Sequence, residues 1–324
     1  MQGKAKSNCD RNENKIMNET KTPVRKILLV PDNPGWAFDN RAKKIISLPT
    51  NNLQFEIKYY KQVTKKDINE YDLIYPMSVG KAKGLHQKGI PANKMAAGLT
   101  SVRQFKRHMT SKGTFKNDFI TFLKGLRGVN SLSDELFQHF TPYRKIIHTK
   151  VGVDENQFTP SKLPISNSSF TVGWVGRIDG PGHREFEGYD IVTSAIHGLD
   201  IKLDIRTFTE NYVPLEKMTE FYQGLDCFIC SSKSEGHPNP VFEAAACGVP
   251  IISTKVGSVP ELIKSHDNGI IVKRDPQSIR EAIQYLMNHP DKQKSMGQSI
   301  RKTILKEWTW KTCWKEWEDF FTSI

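Results

Sequence analysis

Two kinds of apolar pattern alternate along the chain. Short continuous runs such as KILLV (26–30), YDLIYP (71–76), FTVGWV (170–175), DCFICSS (226–232) and VPIIST (249–254) have the length of strands buried on both faces. LQFEIKYY (53–60), KMAAGL (94–99), KIIHTKVGVD (145–154), IKLDIRTF (201–208) and NGIIVK (268–273) read as further strands. Between the runs, apolar residues recur three and four apart, as on amphipathic helices, over 37–48, 189–199, 213–225 and 276–288. The segment 102–127 also reads as helical, with Phe115, Phe119, Phe122 and Leu126 in one stripe.

Strands that alternate with helices predict an α/β protein with parallel sheets. The chain divides into two Rossmann-like domains facing a cleft, 23–158 and 159–304. A polar, lysine-rich tail (1–22) is expected to be disordered, and a polar linker at 158–169 separates the halves. Residues 305–324 form a last helix, with Trp310, Trp314, Trp317 and Phe321 on one face. That face suits a clamp onto the N-terminal domain; the other reading is a membrane-interface helix.

At 324 residues the chain is long enough for two cores. With 37% hydrophobic residues and no apolar run of 18, it is expected to be soluble and cytoplasmic. The five cysteines have no framework spacing, and Cys227 and Cys230 fall in a strand, where they belong to the core. No metal-ligand cluster stands out, so no metal site is expected. The net charge of +12 is uneven: residues 1–160 carry 28 Lys and Arg against 14 Asp and Glu. Residues 81–127 hold 11 basic side chains and one acid, Asp118. A basic N-terminal half points to an anionic partner: acceptor, membrane surface or nucleic acid.

The densest chemistry lies in SEGHPNPVFEAAACGVPIIS (234–253). Asn239 is placed as an N-cap, with Pro240 at the first helical position and Gly248 as the stop. Glu243 then falls in the first turn, beside open N–H groups and the positive end of the helix dipole, and Glu235 points from the loop into the same space. A helix N-terminus over the C-terminal edge of a parallel sheet suits an anionic ligand. Carboxylates that accept from vicinal hydroxyls and N–H groups that hold phosphate together match a nucleotide sugar.

SEGHPNPVFEAAACGVPIISTKVGSVPELI resembles the Glu-x7-Glu signature of the glycosyl transferases group 1 family, retaining enzymes of GT-B fold. VGWVGRID is similar to that family's diphosphate loop and GYDIVTSA to the helix after it; GVNSLSDELFQHF and VGVDENQFTP resemble its last N-terminal helix and hinge. The resemblance implies a donor site in the C-terminal domain. Glu243 would hold the ribose diol, and Glu235 would stand near the sugar's anomeric carbon. His237, Pro238, Asn239 and Pro240 would line the sugar and phosphate site, and Gly176 and Arg177 would form the diphosphate loop, with Arg177 stabilising the leaving group. The family's usual lysine before Gly188 is replaced by Glu187, and Arg184 or His183 could supply the missing charge. PDNPGW, with Gly35, stands for the first loop, and Ser101 stands where a family histidine is expected; His86 and His108 are nearby.

The implied function is metal-independent transfer of a sugar from a nucleotide-diphosphate donor, with retention and with no cofactor beyond that co-substrate. The acceptor would be anionic or membrane-associated, on a protein peripheral to the inner face of the membrane, or else a nucleic acid. The rival is a GT-B-like binding subunit without activity, favoured by the missing lysine and histidine.

Overall fold

The computed structural model describes residues 24–162, 169–207 and 209–324. The expected disordered tail and most of the polar linker lie outside the described residues.

The N-terminal half runs β1 (Arg25–Val30), α1 (Ala37–Ser47), β2 (Leu53–Ile57), α2 (Asp67–Glu70), β3 (Leu73–Pro76), α3 (Val79–Gln87) and β4 (Ala96–Leu99). It continues with α4 (Asn117–Gly125), β5 (Gly128–Ser131), α5 (Asp134–Phe140) and β6 (Ile147–His148). Strands order as β2-β1-β3 and β4-β5-β6, all parallel, and a parallel bridge from Ile74 to Met95 links the two groups. The C-terminal half runs β7 (Phe170–Gly176), α6 (Pro181–Glu187), α7 (Tyr189–Ile196), β8 (Ile201–Thr207), α8 (Met218–Gln223) and β9 (Cys227–Cys230). After these come α9 (Asn239–Ala246), β10 (Ile251–Thr254), α10 (Val259–Leu262), β11 (Ile270–Val272), α11 (Pro276–Asn288), α12 (Pro290–Glu307) and α13 (Trp310–Ser323). Its five strands are parallel in the order β11-β10-β9-β7-β8.

β1 shows why its run had no polar alternation. Ile27 and Leu29 face one layer, Leu28 and Val30 the other, and all four are fully buried. The first layer is closed by α13, whose Trp310, Trp314, Trp317, Phe320 and Phe321 pack on Ile27, Leu29, Leu53, Leu73 and Tyr75. The indoles of Trp314 and Trp317 donate to the carbonyls of Pro49 and Lys150, at 2.8 and 2.7 Å. Thr309 starts this helix with a capping box shared with Thr312. The last helix therefore rests on the N-terminal sheet, and its aromatic face is spent in a protein core.

The chain passes between the halves twice, and the passages touch. Val153 and Thr309 form a parallel bridge, and the Val153 N–H donates to the Trp308 carbonyl at 2.8 Å. A Cβ on Gly152 would strike the backbone of Trp310, so only glycine lets the two passages lie this close.

Two expectations are corrected. The segment 102–127 is not one helix. A 3-10 stretch (Val102–His108) and α4 are separated by a tight turn around Gly113 (φ 78°), closed by Thr110 N–H to Thr114 carbonyl at 2.7 Å. Phe115 thus precedes α4, yet it is buried with Phe119, Phe122 and Leu126 beside Phe105 and Phe140. The stripe faces the core. The strand expected over 145–154 shrinks to Ile147–His148, because the chain leaves the sheet there for the crossing.

Trp317→Ala removes a fully buried indole from the layer that covers the N-terminal sheet. It should cost about 3–5 kcal/mol in denaturant unfolding. Substitution at the exposed Lys311 on the same helix should leave the midpoint within about 0.5 kcal/mol.

Candidate active site

α9 begins one residue earlier than the sequence suggests. Pro238 (φ −76°, ψ 90°) takes the cap position with no side-chain cap bond, Asn239 is already helical, and Glu243 stands in the second turn. The two prolines explain the shift: Pro240 fits a helix start on either side of Asn239, and extended Pro238 turns the chain into it. Gly248 ends the helix at φ 76°, as expected.

Glu243 lies on the floor between the halves. Its Oε2 accepts from the Tyr222 hydroxyl at 2.7 Å. Burial raises the Glu243 pKa to about 7, and the Tyr222 hydrogen bond opposes part of that rise. The cleft above it has a volume of about 340 Å³. Arg177, Asn239, Pro240 and Glu243 line it from the C-terminal half, and Gly35, Trp36 and Asn40 from the other. Val175, Val213, Leu215 and Met218 give it an apolar wall. Gly35 sits at φ 76°, and a Cβ there would meet only open space, so glycine is needed for the turn and not for clearance. Asp39 secures that turn: it accepts from the Gly35 N–H at 2.7 Å and from the Tyr59 hydroxyl at 3.0 Å.

A smaller hollow of about 130 Å³ continues from this cleft past Asn239 and Glu243 to His237, Arg41 and Asp154. The His237 ring stacks on Phe242 with centroids 4.0 Å apart and bonds through Nδ1 to the Ser258 hydroxyl at 2.8 Å. Burial, then the nearby Arg41 charge, hold its pKa well below the ordinary value, so the ring is neutral. Burial also draws Arg41 down to about 10, which leaves it charged near neutral pH.

The other expected residues are dispersed. Arg177 is paired with Asp179 at 2.6 Å on the rim, and that carboxylate raises its pKa. Glu235 does not line the cleft or the hollow. Its loop is wedged between halves: a Cβ on Gly236 would strike the Thr100 carbonyl, and one on Gly257 the Gly236 carbonyl. Thr100 and Ser101 therefore stand at this junction and outside the cleft lining. Gly176 lacks a Cβ because the Trp174 ring occupies that space. Arg184 pairs with Asp190 at 2.6 Å and covers the Tyr189 ring, away from the cleft. Glu187, in the place of the expected lysine, accepts from the Ser232 hydroxyl at 3.2 Å. Tyr222, Asn40 and Arg41 were not singled out from sequence. Tyr222 had no local signal, and the two α1 residues sit on a helix read only for its apolar face.

No metal cluster was expected, yet Asp134, His148 and Glu261 come together with ligand atoms within 4.8 Å of one another. Glu261 Oε1 accepts from the Asp134 N–H at 2.8 Å, and its Oε2 lies 3.3 Å from His148 Nε2. These bonds join α10 of one half to α5 and β6 of the other, which accounts for the cluster as a contact between domains. Burial disfavours the charged His148, but Glu261, then Asp134 and Glu316, outweigh it and raise the pKa. Cys227 and Cys230 are buried thiols, with burial raising both, Cys230 to about 12. They belong to the core.

Residues 200–303 match the family model described as glycosyl transferases group 1. The Staphylococcus aureus capsular polysaccharide biosynthesis glycosyltransferase CapM is 25% identical over 198 residues, 54% of this chain and 52% of its own. The Bacillus subtilis putative teichuronic acid biosynthesis glycosyltransferase TuaC is 38% identical over 71 residues, 22% of this chain and 18% of its own. The match thus spans about half, or less, of these relatives' lengths. In structure the chain is similar to sucrose-phosphate synthase from Thermosynechococcus elongatus, with TM-score 0.73, 13% identity, and 92% and 98% of the two chains covered. It is also similar to Anabaena HepE in complex with UDP and glucose, with TM-score 0.67, 14% identity, and 93% and 100% covered. The fold is GT-B, two parallel-sheet α/β domains around a cleft, as the sequence implied. Among the described residues, no helix is long and apolar enough to cross a membrane.

Tyr222→Phe deletes a bond to the carboxylate and leaves the ring in place. The Glu243 pKa should rise above about 7, as followed by carbon-detected NMR titration of the side-chain carboxyl. The His148 contact is sensitive to pH as well. A raised pKa gives stability that is complete below the unfolded value near 6.5 and fades as pH climbs through the folded value. Thermal melts should show the wild type losing an advantage on the order of 1 kcal/mol over His148→Gln as pH is raised. A pH-independent difference would remove His148 protonation from the contact.

Proposed function

We propose that this chain, with a group 1 glycosyltransferase sequence on a GT-B fold, transfers a sugar from a nucleotide-diphosphate sugar to an acceptor held by the N-terminal domain. One observation carries the reading: Arg177, the start of α9 and Glu243 line a single cleft that the first loop of the other domain closes.

The donor's ribose hydroxyls donate to Glu243, and the diphosphate lies by Arg177 and the Asn239 N–H at the start of α9. The base rests on the wall of Val175, Val213, Leu215 and Met218. To take the diphosphate, Arg177 shares or exchanges its Asp179 partner. His237 is neutral and can serve a sugar hydroxyl without competing for phosphate. Glu235 and Pro238 position the loop that leads into α9, and Gly176 ends the strand that carries Arg177. Arg184, paired with Asp190 away from the cleft, takes no part, and Gly35 and Ser101 border the acceptor side.

In the reaction the bond from the anomeric carbon to the diphosphate oxygen breaks while the acceptor oxygen bonds that carbon on the same face. The acceptor's proton passes to the departing phosphate, so configuration is retained. Charge grows on the diphosphate as it leaves, and the fixed guanidinium and the positive start of α9 stabilise it without a metal ion. The acceptor is anionic or membrane-associated, consistent with the basic N-terminal half.

UDP-glucose is the first donor to test, because HepE was crystallised with it. Its diphosphate does not titrate near neutrality, so a change in affinity with pH reports on the protein. Binding favours the ionised Glu243, and affinity should rise with pH through about 7. Glu243→Gln should lose that dependence and at least tenfold in affinity for UDP and UDP-glucose alike. Glu235→Gln should keep UDP affinity and lower turnover. Equal, small effects from both substitutions, read by calorimetry and transfer assay, would reject this division of roles.

A further inference from the structure

A second groove, of about 1,000 Å³, opens on the N-terminal domain behind the loop that closes the cleft. The two spaces share that loop: Gly35, Trp36 and Ala37 line the cleft, and Asp32 and Phe38 line the groove. Four cations converge on the groove: Lys81 and Lys83 from α3, and Lys106 and Arg107 from the 3-10 stretch before α4.

Their partners are unequal. Lys83 is held by Asp118 at 2.8 Å and lies over the Phe119 ring. Lys81 lies 4.8 Å over the Tyr60 ring, a contact that leaves its ammonium donors open to a ligand. Lys106 and Arg107 are exposed, and the Arg107 Nε–H donates to His108 Nε2 at 3.2 Å. His108 is stacked flat on Phe119, with centroids 4.6 Å apart. Burial, then the charges of Lys83 and Arg107, push its pKa down, which marks a positive local field. The acids facing the groove are Asp32 and the already paired Asp118.

We propose that this groove is an acceptor subsite for a phosphate or diphosphate group, gripped by Lys81, Lys106 and Arg107. The inference rests on the glycosyl-transfer reading and names the acceptor's chemical class. A lone carboxylate needs one cation; three around one space match the multiple charge of a diphosphate. With the same loop walling both spaces, a phosphate in the groove tethers an acceptor whose hydroxyl reaches the donor sugar. The phosphate comes either from a lipid headgroup or from a free phosphorylated acceptor.

The test keeps the donor site filled. Pyrophosphate is titrated calorimetrically, at low salt, into the full chain saturated with UDP. The wild type should bind it, and Lys81→Ala/Lys106→Ala/Arg107→Ala should bind at least tenfold more weakly with UDP affinity unchanged. The charge-conserving Lys81→Arg/Lys106→Arg/Arg107→Lys should retain binding, which separates loss of charge from loss of fold. No pyrophosphate binding by the wild type, or equal binding by the alanine variant, overturns the proposal. If UDP binds neither protein, the donor reading fails by itself, and the pyrophosphate comparison still decides the groove. Co-sedimentation with vesicles of 30% phosphatidylglycerol in phosphatidylcholine identifies the source. Wild-type binding that the alanine variant loses assigns a lipid headgroup; pyrophosphate binding without vesicle binding assigns a free phosphorylated acceptor.

Discussion

The spacing of the two domains is set by backbone meeting backbone. Gly236 presents its Cα to the Thr100 carbonyl, and Gly257, at φ 49°, presents its own to the Gly236 carbonyl. The Ser258 N–H donates to that same carbonyl at 3.0 Å, so the loop before α9 is fixed from both sides. A side chain at Gly236 would push the halves apart, and one at Gly257 would push the Glu235–Gly236 loop off its seat within the C-terminal half. Every distance across the cleft, from Gly35 and Asn40 to Glu243 and Arg177, depends on this contact. The Glu261 bonds to Asp134 and His148 hold the same seam nearby.

Within that seam, burial makes the chemistry sensitive. A carboxyl with a pKa of about 7, an arginine drawn to about 10 and a neutral imidazole lie around two connected hollows. Each would be ordinary on an exposed surface. In a low dielectric, a hydroxyl or phosphate brought to them is held by stronger fields than water allows, and Tyr222 orients the carboxyl in advance. The basic groove on the far side of the first loop works in a wetter setting, where charge number counts for more than desolvation.

The parallel sheets were legible because their strands are short, apolar on both faces and separated by periodic helices. The motif at 234–253 was legible because proline and glycine mark a helix start and stop almost without regard to context. What escaped the sequence depends on distant partners. Nothing local ties Tyr222 to Glu243 or His148 to Glu261, since those pairs exist only once elements 21 and 113 residues apart are packed together. The break in 102–127 escaped because the stripe from Phe115 to Leu126, all of it beyond Gly113, was extended backwards through the glycine. Glu235 was expected beside the donor sugar from its loop position and from the family signature; what the sequence did not show is that the glycine after it packs that loop against Thr100 at the domain junction.

The clamp of α13 on the N-terminal sheet reaches beyond packing, into the order of assembly. Trp317, Phe320 and Phe321 complete a layer begun by Ile27 and Leu29, nearly three hundred residues earlier. During synthesis the first sheet must wait, one apolar face covered only by α1, until the whole second domain has left the ribosome. The second domain, whose clusters draw little from the first half, has no such wait. The half made first is thus the half finished last, and the two domains fold as a single closed circuit of chain.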